Sequence, residues 1–168
     1  MRTIRGPGLF LAQFARDTPP HNSLEGIARW AKAYGYKAIQ IPTWDARFFN
    51  LDLAHKSAAY CDEVKGRLAD IGIAVSELST HFQGQMVSVH PAYDAMFDGQ
   101  CPAHVRGNPE KRRHWAADQV RKAALVSRRF GLTEHVSFTG SLAWPYFYPY
   151  PQRPAGLIEE CFAEQARR

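Results

Sequence analysis

Apolar positions change period several times along the chain, and each change marks an element. Leu9 to Phe14 is a short apolar run that reads as a first strand, followed by a loop carrying Pro19 and Pro20. Asn22 with Glu25 three residues on has the form of a capping box, in which two side chains satisfy amides that the first helical turn leaves unpaired. Leu24, Ile27, Ala28 and Ala31 then recur at helical spacing, and Gly35 supplies a stop. Ala38 to Ile41 reads as a second strand interrupted by Pro42, and "TWDARFFNLD" as the loop after it. From about Leu53 to Ile71 a helix is expected with Cys61, Val64, Leu68 and Ile71 on one face and Gly72 at its end. Ile73 to Ser79 is the third strand.

The stretch from His81 to Gly107 is too rich in Gly, Pro and His for one element, and loops of that length in compact domains are usually lids or binding loops. Asn108 and Pro109 then open a helix through Trp115, Ala116, Val120, Ala123 and Ala124 to Gly131. "HVSFTG", residues 135 to 140, reads as a fourth strand, and the aromatic, proline-rich "SLAWPYFYPYPQRP" follows it. A last helix is expected from about Pro154, burying Leu157, Ile158, Cys161 and Phe162.

Four strand-plus-helix units in succession predict an α/β fold with parallel strands, because parallel neighbours need long right-handed crossovers. An eight-stranded barrel of such units takes about 250 residues. Four units therefore make either an open four-stranded sheet or half of a TIM barrel, its first four strands with their helices.

Composition narrows the function classes. A length of 168 residues with 45% hydrophobic positions fits a single domain spanning residues 1–168 with its own core, and excludes a disordered chain. The net charge of +5 is scattered; its densest cluster, Lys111, Arg112 and Arg113, reads as a solvated helix face. Cys61, Cys101 and Cys161 are odd in number and widely spaced, which fits reduced thiols in a soluble, cytoplasmic protein. The N-terminal apolar stretch is shorter than a signal peptide core or a membrane span. No G-x-G-x-x-G, Walker or G-x-S-x-G motif is present, so nucleotide binding and serine hydrolysis have no support.

Sites in folds of this class form where strands run into loops at their carboxyl ends. Gln13, Gln40, Thr43, Trp44, His81, Gln83, Gln85, His90, Trp144 and Tyr146 all lie at or just past such ends. Neutral donors and acceptors with aromatic walls suit a polyol or keto sugar. Gln40 alternates with Ile39 and Ile41 and so points away from both, either to bond a neighbouring strand or to touch ligand. His81 directly follows Thr80 at a strand terminus and is expected to face the site; the alternative is a neutral histidine bonded to loop backbone. His90, before Pro91, sits further along the excursion. Trp44 and Trp144 are either site walls or hydrophobic cover. Glu77 is a lone carboxylate in an apolar strand, more in keeping with a satisfied core or inter-strand group than with a metal ligand.

The runs "GYKAIQIPTWD", "ELSTHFQGQMVSVHPAYD" and "SLAWPYFYPYPQRPAGLIEE" resemble the sugar phosphate isomerase and epimerase family, whose fold is a xylose isomerase-like TIM barrel shared with family 2 apurinic endonucleases. The resemblance covers essentially the whole chain but only the first half of that barrel. It implies metal-dependent proton transfer next to a carbonyl of a sugar or sugar phosphate. The divalent metal (Mn, Mg or Zn) and the proton-moving glutamates are expected on the last four strands, so no metal ligand and no catalytic residue carries over to this chain. On this resemblance Gln40, Trp44, His81, Gln83, Gln85, His90 and Trp144 would serve substrate recognition, and the chain would end within or after its fourth helix and be inactive alone. Its partner would be the missing half or a second copy joined through the open sheet edge, with no membrane and no expected nucleic acid. A non-catalytic carbohydrate-binding or half-barrel module is the alternative reading, and an endonuclease-like DNA repair enzyme a minor one.

Overall fold

The computed structural model describes residues 4–142 and 156–168. Four strands, β1 (Gly8–Phe10), β2 (Ala38–Pro42), β3 (Ala74–Thr80) and β4 (His135–Ser137), form one all-parallel sheet in the order β1-β2-β3-β4. The helices in chain order are α1 (Leu24–Ala33), α2 (Leu51–Lys56), α3 (Ala58–Ile71), the short α4 (His81–Gln85), α5 (Pro109–Arg129) and α6 (Leu157–Arg167). The α/β class with parallel strands is thus as the sequence predicts. No helix among the described residues is long and apolar enough to cross a membrane.

Two compact units emerge. The first comprises Met1–His81 and Asp118–Ser137 and holds the whole sheet; the second comprises Phe82–Ala117 and Phe138–Arg168. In the first, Leu9, Ile39, Ile41 and Leu78 turn one sheet face toward Ile27 and Ala31 of α1, Val64 and Leu68 of α3, and Ala123 and Val126 of α5, all buried in one cluster. Alternation along each strand leaves the neighbours of these residues on the opposite face.

Several boundaries depart from the sequence reading for identifiable reasons. The first strand stops at Phe10, and Leu11–Phe14 is a turn of 3-10 helix. Residues three apart eclipse in such a turn, so Leu11 and Phe14 both reach the core. Ser23, not Asn22, caps α1, its side chain accepting from the amide of Gly26. The helix expected from Leu53 to Ile71 is two: Asn50 caps α2, and Ser57, accepting from the Tyr60 amide, starts α3 afresh. Gly72 at φ 77° ends α3 in the left-handed conformation, as its position predicts. The fourth strand ends at Ser137 and not at residue 140.

The second unit corrects three expectations. The excursion after His81 is no featureless loop: two 3-10 segments, Pro91–Gln100 and Ala103–Val105, pack Tyr93, Phe97, Cys101 and Val105 with Met86 and Ala116 into a core of their own. Arg112 is not on a solvated face. Its side chain is 1% exposed, pairing with Asp94 at 2.5 Å and with Asp98, because its guanidinium spans two carboxylates presented one turn apart. On α6, the stripe expected to be buried is not: Ile158 is 48% exposed, Phe162 is 68% exposed, and Cys161 is also exposed.

Candidate functional site

The sheet face opposite the first unit's core carries a row of three residues in register: Phe10 on β1, Gln40 on β2 and Glu77 on β3. Glu77 reaches that row through an irregularity. Ile39 faces Val75, yet Gln40 faces Glu77, so Ser76 is an extra residue in β3. In strict alternation Glu77 would share the core face with Val75. The bulge instead returns Leu78 to the core opposite Ile41 and turns the carboxylate out beside Gln40, where Gln40 Nε2 donates to Glu77 Oε1 at 2.7 Å. Gln40 therefore points away from Ile39 and Ile41, as alternation predicts, and its inter-strand partner is Glu77.

His81 follows at the carboxyl end of β3, as the first residue of α4. Two aromatic rings meet it edge-on: Phe10, 5.1 Å between centroids, and Trp44, in the loop after β2, at 5.7 Å. Burial holds the His81 imidazole below its usual pKa, so near pH 7 it is neutral and presents one donor and one acceptor nitrogen. Phe10 links the two parts of the site, being both the register partner of Gln40 and a ring neighbour of His81. The result is a half-buried surface of carboxylate, amide, neutral imidazole and two aromatic rings, all within the first unit.

Other candidates have different local settings. Thr43 is buried and donates to the carbonyl of Ser79, a strand-end tie. Gln13 is exposed on the 3-10 turn after β1. Gln83, buried, and Gln85, half-buried, follow His81 on α4 but belong to the second unit. His90, in that unit too, caps the Pro91–Gln100 segment, its Nδ1 accepting from the amide of Ala92 at 3.2 Å while its ring lies 6.2 Å from that of Tyr93. Trp144 and Tyr146 lie outside the described residues.

Sequence reasoning missed Phe10 as a site residue and read Glu77 as a satisfied core or inter-strand group. The available signal was the order Val75, Ser76, Glu77, Leu78: two adjacent polar residues between apolar ones break the two-residue period of a strand and call for a bulge. It also missed the partly buried relay behind β3, where His135 bonds Thr80 Oγ1 at 2.9 Å and Ser127 Oγ at 3.0 Å, and Thr80 donates to Ser137. Burial first, and the neighbouring His81 second, hold His135 below the usual imidazole pKa. These side chains lie on the core face with Leu78, so they brace the strand ends and do not line the site.

Among the described residues no three His, Cys, Asp or Glu side chains converge as a metal-binding group. No protein-family model matches the sequence, and a comparison with curated proteins finds no match.

Proposed function

We propose that this chain supplies the substrate-recognition half of a sugar or sugar-phosphate isomerase or epimerase, its four parallel strands corresponding to the first four staves of a xylose isomerase-like barrel. The observation that carries the reading is the convergence of Phe10, Gln40, Trp44, Glu77 and His81 at or toward the carboxyl ends of consecutive parallel strands. A sugar presents hydroxyls to groups that accept and donate, and the apolar faces of its carbons to aromatic rings. Neutral His81 suits contact with a carbonyl or hydroxyl oxygen without introducing charge. The reading assigns binding to this chain, and assigns proton transfer to none of its residues. It places the protein in the cytoplasm, in keeping with Cys61, Cys101 and Cys161 all being free thiols.

Titration of the isotope-labelled chain with D-fructose, D-xylulose and their monophosphates, followed by NMR, tests it. The expected result is saturable shifts at the Trp44 indole, the Gln40 side-chain amide and the His81 ring. Absence of saturable shifts with all four sugars overturns the reading.

A further inference from the structure

Trp44, the half-buried indole beside His81, stands in a loop that is tied down on both sides of it. Before it, the amide and the hydroxyl of Thr43 both donate to the carbonyl of Ser79 on β3, at 3.0 and 2.9 Å. After it, the Asp45 carboxylate accepts from the Arg47 amide at 3.1 Å. The same carboxylate is gripped by the Arg47 guanidinium, through Nε at 3.0 and 3.1 Å and through Nη2 at 2.6 Å. The remaining nitrogen, Nη1, crosses to the loop after β1, donating to Asp17 at 2.7 Å and to the carbonyl of Arg16 at 3.2 Å. The guanidinium also lies over the ring of buried Phe48, 5.3 Å from its centroid. An isolated exposed ion pair contributes little, because two long side chains must be ordered to make it. Arg47 differs in that a forked carboxylate contact, a second carboxylate, a backbone carbonyl and an aromatic ring together offset the ordering of one side chain.

Both ends of this tie lie in loops that follow the carboxyl ends of neighbouring parallel strands, and His81 stands at the carboxyl end of the next strand. Resting on the sugar-binding reading above, we propose that Arg47 is a positioning residue for Trp44: it joins the loops after β1 and β2 and so fixes the indole, before the ligand arrives, as the aromatic wall for the sugar's apolar face. Arg47 acts through Trp44 and makes no ligand contact of its own. A wall already fixed in the free chain loses little freedom on binding, whereas a loose one has to be ordered by the ligand, which weakens affinity.

The test is a cycle of affinities for D-fructose and D-xylulose in the wild-type chain, Arg47→Met, Trp44→Ala and the double variant. Arg47→Met is expected to weaken binding by about threefold or more, the scale of ordering one side chain, and to have no further effect once Trp44 is replaced by alanine. A smaller loss in the first background, or the same loss in both, overturns the inference and leaves the sugar reading standing. No ketose binding by the wild-type chain overturns both. A second readout needs no ligand: the NMR order parameter of the Trp44 indole N–H is expected to fall from about 0.85 toward about 0.6 in Arg47→Met. An unchanged value overturns the inference, and this readout decides where the Trp44→Ala chain binds too weakly for the cycle to close. Should Arg47→Met not fold, Asp45→Asn, which keeps the side chain's size and removes the charge that Arg47 grips, takes its place with the same expectations.

Discussion

Both imidazoles near the end of β3 are held neutral by burial, and the sign of the pH effect follows from that. An unfolded chain binds a proton at His81 and His135 near the ordinary histidine value of about 6.5, whereas the folded chain binds it only at lower pH. Their contribution to stability is fully present above about pH 6.5 and is lost as pH falls through the depressed folded values, because the unfolded state then holds more protons. The urea midpoint is accordingly expected to fall between pH 7.5 and pH 5. Replacing His135 by Gln, which does not titrate, is expected to make that fall shallower while lowering the midpoint at pH 7.5 through the lost Ser127 and Thr80 bonds. An unchanged slope in the variant would exclude His135 as a source of the dependence. Glycines give a second residue-scale prediction. Alanine normally improves a helix interior by about 1 kcal/mol over glycine, but a Cβ at Gly26 would overlap the carbonyl oxygen of Pro20 and the Ser23 hydroxyl that caps α1. Gly26→Ala is expected to lower the urea midpoint despite its better propensity. At this scale the sequence was informative about Gln40 and His81, whose places follow from alternation and from a strand end. Glu77 was opaque as a site residue because its direction depends on one inserted residue, and a bulge is a decision of the paired strand as well as of its own.

Among the elements, the starts of α1 and α5 were legible to within a residue, whereas α2 begins two residues before the expected Leu53 and its break from α3 was not legible. Ser23, Asn50 and Ser57 each take up a free amide at a helix start, and any of the polar residues around them has the chemistry to do so; which one caps is set by where the first apolar residue must enter the core. Ser57→Ala is expected to cost about 1 kcal/mol in urea unfolding. The second unit shows what patterning leaves hidden. Arg112 reads as one of three consecutive cations, yet it alone is buried, ion-paired to Asp94 and Asp98 of the Pro91–Gln100 segment. Asp98 also accepts from the amide of Gly107. Removing one partner of a buried pair strands the other's charge, so Arg112→Met is expected to destabilise by about 3–5 kcal/mol. The flanking Lys111→Met and Arg113→Met, both exposed, are expected to change stability by less than about 0.5 kcal/mol. Hydrogen exchange across residues 91–107 is the local readout. Equal protection in all three variants would show that the buried pairs do not hold the segment. On α6, spacing alone suggested burial, but a 3.6-residue stripe records only amphipathicity; Phe162 at 68% exposure shows that the stripe need not be covered.

For the molecule as a whole, the succession of strand and helix signals was enough to give a parallel sheet, whereas the order β1-β2-β3-β4 comes from the structure. Charge was a weaker guide. A net charge of +5 with aromatic loops leaves DNA binding open as a sequence-level idea, and several of the cations are engaged in ion pairs. Arg112 is buried between two carboxylates; Lys122 lies 2.9 Å from Asp52 and 2.8 Å from Asp118; Arg47 is paired to Asp17 and Asp45; Arg67 is 3.0 Å from Glu25. Each phosphate neutralised by a bound protein contributes a slope of about −0.9 in log affinity against log salt, so a dedicated DNA site with six or more contacts declares itself by a slope near −5 or steeper. For a duplex carrying an abasic site, the expected result is weak association at about 20 mM salt with a shallow slope, absent by about 150 mM. Binding that survives the higher salt and prefers the abasic duplex to an intact one would displace the sugar reading in favour of an endonuclease-like one, since scattered surface cations give neither persistence nor preference.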